Sequence, residues 1–283
     1  MIVHFAHGGR FGNQLFAVAF IQKIRRGRER VICSRLGEVL RDMTGLRHFV
    51  NFESRAAILL IDRIVDPFAR RVLVPLGIIG SRIEQSQGLL KARAGLLPVT
   101  YVRGYFQSRE CLPRGSTPLL GLRSREEGAA RDLLGEARGR TPLFVHVRRG
   151  DYVTWQVLGK PDPSLPLAYY RRAIAQLSAI VANPFYFYLG DEPEWLSEAF
   201  PELPHREVTG RAPASDLALM SLCAGGVISN SSFAWWAAHF CRGTAPIFAP
   251  LYWLGWRSGA WYPPMIETAR LSFLPVESRN AEN

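Results

Sequence analysis

The sequence predicts an α/β protein with two Rossmann-like domains. Two observations carry this prediction: a strand, a glycine-rich turn and an apolar helix open the 283-residue chain, and a second alternation of strands and helices fills residues 141–249. Such alternation is typical of parallel sheets whose faces are covered by helices. A hydrophobic content of 48% indicates a globular chain, and the length suits one large domain or two smaller ones.

The first series begins at the amino terminus. It contains, in order, a strand, a glycine-rich turn, an apolar helix and a short strand, at residues 2–6, 8–14, 15–24 and 31–33. Residues 35–100 hold apolar runs that periodicity assigns to neither helix nor strand, whereas residues 99–106 alternate like a strand. A linker is expected at residues 113–118. We therefore expect an N-terminal domain over residues 1–138 and a C-terminal domain over residues 139–283.

The second series is the more regular of the two. Its strand patterns are residues 143–147, 185–189, 226–229 and 245–249. Its helix patterns are residues 167–181, 215–223 and 233–241. Strand, helix, strand, helix and strand in this order predict a doubly wound unit.

The charge of the chain restricts its partners without naming one. The formal net charge is +11, and Lys23, Lys91 and Lys160 are the only lysines, so the basic residues are nearly all arginines. Arginine binds phosphate in bidentate fashion, which suits nucleic acid, an anionic membrane or a phosphorylated small molecule, although a solvated basic surface is an equally good interpretation. The four cysteines form no C-x-x-C pair. We therefore interpret them as buried thiols of a protein in a reducing compartment.

No leader or membrane-spanning segment is expected from the sequence. The chain opens directly on a strand pattern, and the apolar residues 56–80 are interrupted by five charged residues. A spanning helix needs about 20 apolar residues. We expect a core-facing helix in residues 56–80, with an amphipathic element lying on a membrane as the alternative.

Ligands of an open α/β sheet bind beyond the carboxyl ends of its strands. Three segments fall at such ends: residues 8–14, 146–152 and 229–233. In residues 146–152, Arg148 and Arg149 follow a strand, whose side chains alternate between faces. One arginine is therefore expected to reach a ligand and the other to pair with an acid such as Asp151. An arginine–aspartate pair that only holds a loop is the alternative.

The other two segments offer amide and backbone N–H groups. Ser231 or Ser232 can cap the helix that follows, and free N–H groups there can bind an anion; a simple cap is the alternative. Trp235 can stack on a base, although core packing is commoner. Asn13 and Gln14 follow a turn that is neither G-x-G-x-x-G nor a Walker A sequence, and their amides suit sugar hydroxyls.

Several classes of chemistry lack their sequence signatures. The chain contains no G-x-S-x-G element, no G-K-[ST] after the first turn, and no D-x-D segment. A transferase that acts on a nucleoside diphosphate without a metal needs another source of positive charge for its leaving group. Arginines and a helix N-terminus supply such charge.

These segments together resemble glycosyltransferase family 11, the α-1,2-fucosyltransferases, in its small bacterial form. The resemblance is carried by five ordered blocks, residues 8–16, 145–153, 188–195, 216–223 and 228–238. The second block matches the H-x-R-R-x-D-Y hallmark, which α-1,6-fucosyltransferases share. The first block also resembles the opening of protein O-fucosyltransferases, and Gly190 replaces a usual serine. Regiochemistry and acceptor therefore stay open among these alternatives.

The resemblance implies a GT-B architecture, two Rossmann-like domains facing a cleft, and an inverting transfer from GDP-β-L-fucose without a metal cofactor. It implies an α-1,2 linkage to galactose in a glycan acceptor, such as a lipopolysaccharide or O-antigen precursor. We expect a cytoplasmic enzyme, peripheral on the inner face of the membrane, that binds no nucleic acid. A basic nucleic-acid-binding protein and a membrane-surface scaffold without catalysis are the rivals from other classes.

The resemblance also distributes roles among the residues. Arg148 and Arg149 are expected to stabilise the diphosphate, Asp151 to accept the hydroxyl proton, and His146 to be the next candidate for that base. Asp191 and Asp216 are expected to serve the guanosine or the local scaffold. The remaining residues expected to bind substrate are Gly9, Arg10, Asn13, Gln14, Asn230, Ser231, Ser232, Phe233 and Trp235.

Overall fold

The computed structural model describes residues 1–6, 8–84, 90–112, 121–263, 266 and 269–277. The chain forms two compact units, Met1–Arg123 and Ser124–Asn283. The expected linker at residues 113–118 lies outside the described residues.

The boundary between the units differs from the one expected after residue 138. Helix Ser124–Leu134 belongs to the second unit. The reason is polar as well as apolar contact: Ser215 donates a hydrogen bond to Glu126, and Arg242 forms an ion pair with Glu127. The sequence could not predict these contacts, because Ser215 and Arg242 lie far along the chain from the helix.

The first unit is built on one six-stranded sheet. Its strands and the small flanking pair are, in chain order, β1 (Ile2–Phe5), β2 (Val31–Ser34), β3 (Met43–Thr44), β4 (Phe49–Phe52), β5 (Ile79–Glu84), β6 (Leu90–Arg93), β7 (Leu97–Arg103) and β8 (Gly121–Leu122). The sheet order is β4-β2-β1-β7-β5-β6, parallel except for the antiparallel edge strand β6, and β3 pairs separately with β8.

Helices cover this sheet. They are α1 (Phe11–Ile24), α2 (Gly37–Asp42), α3 (Arg55–Leu60) and α4 (Asp66–Phe68). Helix α1 is buried because its large apolar residues pack on the sheet; for example, the ring of Phe20 stacks on Phe106 at 4.0 Å. Helices α3 and α4 form one continuous helical run, residues 55–73, with π-helical turns at Ile61–Val65 and Ala69–Leu73.

The second unit has a sheet that is parallel throughout. Its strands, with a small hairpin formed by the second and third, are β9 (Thr141–Val147), β10 (Gln156–Val157), β11 (Lys160–Pro161), β12 (Pro184–Gly190), β13 (His205–Glu207), β14 (Gly225–Val227), β15 (Ile247–Pro250) and β16 (Leu271–Leu274). The helices are α5 (Ser124–Leu134), α6 (Leu167–Ile180), α7 (Glu194–Ala199), α8 (Pro213–Leu222) and α9 (Ser232–Phe240).

The strand order fixes where each unit can bind a ligand. The second sheet runs β13-β12-β9-β14-β15-β16, so the chain winds outward to one side of β9 and then to the other. This is the Rossmann order, and its switch point lies between β9 and β14. In the first sheet the corresponding switch point lies between β1 and β7. The predicted α/β class with two Rossmann-like parallel sheets is confirmed.

Candidate active site

A buried histidine joins the two strands at the switch point of the second unit. His146 lies at the end of β9, and its Nδ1 is 2.9 Å from the hydroxyl of Ser229, which follows β14. Its ring also packs near Phe233. Burial, assisted by the charge of Arg148, lowers the pKa of His146 to about 3. The imidazole is therefore neutral near pH 7 and a weak proton acceptor, and its evident task is to position the loop after β14.

Arg148 follows directly on β9. Its guanidinium contacts the carboxylates of Asp151 and Asp191, the latter at 3.5 Å, and lies 5.3 Å from the ring centre of Tyr152. The hydroxyl of Tyr152 donates a 3.3 Å hydrogen bond to the carbonyl of Asn230. The arginine is thus held by groups that follow β9 and β12, and its neighbour Tyr152 bonds the loop before α9.

Arg149 contacts different groups from Arg148, although both arginines meet the segment that follows β12. Its Nε donates a 2.9 Å hydrogen bond to Glu192, and its guanidinium lies over the ring of Trp195 at 4.4 Å. Both arginines pair with acids, so the expectation that only one would do so was wrong. The partner of Asp151 is Arg148.

Asp191 and Gly190 connect the ends of β9 and β12. One oxygen of Asp191 accepts a 2.9 Å hydrogen bond from the backbone N–H of Arg149. Burial raises the pKa of Asp191, and this hydrogen bond and the charge of Arg148 oppose the rise. Gly190 has φ +131°, and a Cβ at this position would lie 1.9 Å from the carbonyl oxygen of Val147. The close approach of the two strands explains why glycine stands where the family resemblance expects serine.

The start of α9 lacks the expected side-chain cap. Ser231 occupies the N-cap position in an extended conformation, but its side chain makes no capping hydrogen bond in the described structure. Ser232 is the first residue of the helix, so the expectation that a serine hydroxyl caps it was wrong. A helix start without a side-chain cap is a place where backbone N–H groups can bind an anion.

Two residues expected to bind substrate are engaged inside the protein. The side-chain amide of Asn230 donates a 2.8 Å hydrogen bond to the carbonyl of Pro163, which also accepts from Trp256. Trp235 is buried, and its indole N–H donates to the carbonyl of Ile266. Asn230 therefore anchors the loop before α6, and the packing of Trp235 agrees with the core-packing alternative. Neither side chain is available to a ligand in this arrangement.

Asp216 presents an unpaired acceptor near the end of β13. It lies in the first turn of α8, and its Oδ1 is 3.3 Å from Nε of Arg211. The two atoms form an ion pair but do not meet hydrogen-bond geometry. Each is buried and has no hydrogen-bond partner among the described residues. Burial raises the pKa of Asp216 to about 6, and Arg211 opposes the rise. The pair therefore leaves one donor and one acceptor unsatisfied inside the protein, and a bound group can use them only when a side chain turns out of its buried position.

The glycine-rich turn of the first unit forms a second constellation. Gly9 has φ +98°, and a Cβ there would lie 2.8 Å from Cβ of Asn13 and 3.0 Å from the ring of Tyr105. The Oδ1 of Asn13 accepts a 2.6 Å hydrogen bond from Gln107. Gln14 is buried and donates to the carbonyl of Gly9, while its Oε1 has no partner among the described residues. Of the polar residues predicted in this turn, Gln14 is buried, whereas half-buried Asn13 and exposed Arg10, the N-cap of α1, keep polar groups near the surface.

Sequence reasoning missed Tyr105 and Gln107. Both follow β7, which pairs with β1, and the N–H groups of Tyr105 and Phe106 are held by the carboxylate of Glu84. The signal was present, since a strand was expected over residues 99–106 and ligands bind at strand ends. What the sequence did not reveal was that β7 lies beside β1.

Comparison with known proteins places these features in a family. The model of Glycosyl transferase family 11 matches residues 100–253, more than half of the chain. The chain belongs to this family. The match includes β9, β12, α8, β14 and α9, and so contains every element of the switch point in the second unit.

Curated relatives in this family match the chain over part of their length. An O-antigen biosynthesis glycosyltransferase of Escherichia coli is 32% identical over 98 residues, 33% of this chain and 32% of that protein. An α-1,2-colitosyltransferase of E. coli is 32% identical over 114 residues, 38% and 39% of the two chains. A galactoside 2-α-L-fucosyltransferase of Bos taurus is 29% identical over 119 residues, 40% and 32%. The chain thus matches between a third and two fifths of these relatives.

A solved structure shares the fold over nearly the whole chain. The ADP-heptose lipopolysaccharide heptosyltransferase II of E. coli superposes with a TM-score of 0.52 and 12% identity, covering 96% of this chain and 89% of that one. At this identity the likeness shows the fold alone. It confirms the predicted GT-B class for this member of family 11.

Proposed function

We propose that this protein is an inverting, metal-independent fucosyltransferase. It transfers L-fucose from GDP-β-L-fucose to a hydroxyl of a galactose-containing glycan, in α-1,2 linkage, at the cytoplasmic face of a membrane. The observation that carries the proposal is that the two strands flanking the switch point lead into positive groups: Arg148 follows directly on β9, and the start of α9, which has no side-chain cap, follows β14. Positive groups at this place suit a diphosphate leaving group.

The diphosphate is bound by the Arg148 side of the site. Arg148 is only 14% exposed and is already oriented by Asp191 and Tyr152, so little reorganisation is needed when charge develops on the phosphate. Asp151 is 54% exposed and can move aside for the phosphate oxygen. Arg149, stacked on Trp195, adds positive potential and fixes the loop without direct contact.

The acceptor hydroxyl attacks the anomeric carbon from the face opposite GDP. The C–O bond to the phosphate breaks with the electron pair leaving on GDP, and the transition state is oxocarbenium-like, as in other glycosyl transfer. Asp151 is assigned as the group that accepts the hydroxyl proton, because its carboxylate is exposed and is freed from Arg148 to turn toward the acceptor when the phosphate binds. The low pKa and burial of His146 make it unsuited to this task.

The guanine is read by Asp216. Guanine presents adjacent N–H donors, and an ionised carboxylate with an unused acceptor oxygen matches them. The pair of Asp216 and Arg211 lies at the same edge of the sheet as Arg148, since all strands are parallel. Asn13 and Gly9 of the first unit are assigned to sugar hydroxyls.

A nucleotide panel tests the donor class. Binding to the native state raises the melting temperature by mass action, so GDP should stabilise the protein more than UDP or ADP at equal concentration. Arg148→Lys should reduce the GDP shift, whereas Arg206→Gln, a change at an exposed arginine on β13, should leave it unchanged. Equal shifts from all three nucleotides would reject a GDP-sugar donor.

Product analysis tests the remaining details. With GDP-fucose and galactose-terminated glycans, the linkage should be α-1,2, and activity should persist with chelator. If the product has an α-1,6 linkage, or if fucose is transferred to a protein hydroxyl, the donor assignment stands and the acceptor assignment is wrong. Activity that disappears with chelator would overturn the metal-free mechanism.

Colitosyl transfer is a second candidate, favoured by the colitosyltransferase among the relatives. Colitose is L-fucose without its 3-hydroxyl. A site that hydrogen-bonds this hydroxyl rejects the deoxy sugar by about 10⁴-fold or more, whereas an apolar site accepts it. The ratio of kcat/KM for GDP-fucose and GDP-colitose therefore decides between the two donors.

A further inference from the structure

The helical run of residues 55–73 leaves one apolar face uncovered. Its inner face packs on the first sheet, where Ile61, Ala69 and the following Val74 contact Phe5 and Tyr101. This packing accounts for one side of the helix only. The other side is also apolar, which is unusual for a helix on the outside of a soluble protein.

We call the uncovered side the outer face and define it by its exposed large apolar residues. They are Leu59, Leu60, Ile64, Val65 and Phe68. Three of them, Leu60, Ile64 and Phe68, follow one another at four-residue spacing, which places them in one row along the helix. Contiguous exposed apolar surface of this kind marks an interaction site more often than chance exposure.

Three further leucines extend the outer face beyond the end of the helix. Leu76 is exposed just after the run, and Leu96 is 86% exposed. Backbone hydrogen bonds of 2.9 Å from Leu96 to Gly77 and from Leu97 to Ile78 bring the two segments side by side. These leucines lie at the amino ends of β5 and β7, away from the edge that carries Gly9 and Tyr105.

The charge around the outer face has one sign. Arg55, Arg63 and Arg71 are exposed along the helix. The acids of the same run are occupied, since Asp62 pairs with Arg35, and buried Asp66 accepts a hydrogen bond from Tyr101. Before the helix, Glu53 is bonded by Asn51. Arginines beside exposed leucine, isoleucine and phenylalanine therefore dominate this surface.

We propose that the outer face binds the surface of an anionic phospholipid bilayer. The apolar side chains enter the boundary between headgroups and acyl chains, and Arg55, Arg63 and Arg71 bind lipid phosphates. The helix lies on the membrane: within the described residues, no helix combines the length and apolar character of a spanning segment. Charge complementarity favours an anionic bilayer over an apolar protein groove, which would not need the arginines.

The proposal goes beyond the proposed function and does not depend on it. Lipid binding can be measured without nucleotide or glycan, so its failure would leave the GDP-sugar assignment untouched. If both hold, the outer face keeps the enzyme at the surface where a lipid-linked glycan acceptor is available.

Vesicle flotation of the full chain tests the proposal. Vesicles of phosphatidylcholine alone are compared with vesicles containing about one third phosphatidylglycerol. The wild type should float with the anionic vesicles and lose most of this binding at high salt. Arg63→Gln/Arg71→Gln should weaken partitioning roughly thirtyfold, because each arginine near an anionic surface contributes about a factor of five.

A matched pair of variants tests the apolar contribution. Ile64→Ser/Phe68→Ser should weaken partitioning about tenfold or more. Ile180→Ser, at the end of α6, changes an isoleucine that is 60% exposed, as Ile64 is, and should float like the wild type. All variants should keep the wild-type circular dichroism spectrum and urea unfolding midpoint, which shows that the folded state is intact.

Two outcomes would overturn the proposal. Flotation that is equal on neutral and anionic vesicles, or unchanged by the outer-face variants, would show that this surface does not bind anionic lipid. Concentration-dependent dimerisation in sedimentation, abolished by Ile64→Ser/Phe68→Ser in a protein that never floats, would show that the outer face binds a second copy instead.

Discussion

Replacing Gly190 with serine should disrupt both the stability of the second unit and its binding site. Gly190 is the last residue of β12 and lies opposite Val147 of β9 in the parallel register. Its φ of +131° is rarely adopted by residues with a side chain, and such a conformation costs about 1–3 kcal/mol. Serine is also the residue that the family resemblance expects here, so the change is conservative only in sequence.

The contact with Val147 adds to this cost. A serine Cβ would lie 1.9 Å from the carbonyl oxygen and 2.8 Å from the carbonyl carbon of Val147, whereas real Cβ contacts stay beyond 3.0 Å. Both atoms belong to the backbone, so the two strand ends must separate by about 1 Å, at an added cost of about 1–2 kcal/mol. We expect a total loss of about 2–5 kcal/mol, and since each kcal/mol corresponds to about 2–4 °C at this size, a fall in Tm of roughly 4–20 °C.

Urea unfolding followed by tryptophan fluorescence measures the loss. Gly128→Ala is the matched control, because Gly128 lies in helix α5 with open space around it and alanine there should stabilise by about 0.5–1 kcal/mol. The displaced Val147 precedes Arg148, so the GDP thermal shift of Gly190→Ser should also shrink. A Gly190→Ser protein with wild-type stability and GDP binding would refute the close approach of β9 and β12 on which this reasoning rests.

Four further predictions concern the residues of the proposed site. Arg148→Lys should lower kcat about 10²–10³-fold through loss of a charge-stabilising donor. Arg149→Lys, which keeps the charge over Trp195, should lower kcat less. Equal losses of kcat in steady-state kinetics would contradict the separate roles of the two arginines. The pKa of Asp216 is about 6, so calorimetry should show GDP affinity near its full value above about pH 7, halved near pH 6 and about tenfold lower near pH 5 as the carboxylate is protonated. Asp216→Asn should flatten this profile. Because the pKa of Asp216 is raised in the folded state, protonated Asp216 contributes to the free energy of unfolding of the unliganded protein below its unfolded pKa. This contribution is lost as the pH rises through about 6. Urea titrations of the wild type and Asp216→Asn at several pH values should show the loss. Gln107→Leu removes the hydrogen bond to Asn13 and should raise the KM for a sugar substrate without changing the rise in melting temperature caused by GDP. A changed GDP effect on the melting temperature would assign Asn13 to nucleotide binding instead.

The fold class and the position of the candidate site follow from local patterns in the sequence. The fold class is confirmed, and it could be predicted because strand and helix patterns depend on backbone geometry within a few residues. The ligand-binding edge at the strand ends and the separate roles of Arg148 and Arg149 stay predictions.

Tertiary partners explain what the sequence did not predict. The side-chain amide of Asn230 donates to the carbonyl of Pro163, 67 positions away. The indole N–H of Trp235 donates to the carbonyl of Ile266. A motif identifies these residues but gives no information about which way their side chains point. Tyr105 and Gln107 were missed for a related reason, since their place depends on the order of strands in the sheet.

The helix expected within residues 56–80 is present at residues 55–73, but its exposed apolar face was not predicted, because both of its faces are apolar. A periodic pattern needs a polar side, and here the outer face offers leucine, isoleucine and phenylalanine among the arginines. Pro67, which has no backbone N–H, and the two π-helical turns further disturb the α-helical period.

The strand order of the second unit has a consequence for synthesis of the chain. Its central strand, β9, is also its first, so β12 and β13 add to one side long before β14 exists. A chain released or cut before residue 225 would leave the other side of β9 as an open sheet edge, with its row of backbone N–H and C=O groups free to pair with another molecule. Such fragments should aggregate, and a chaperone that shields this edge until α9 emerges from the ribosome should raise the yield of folded protein.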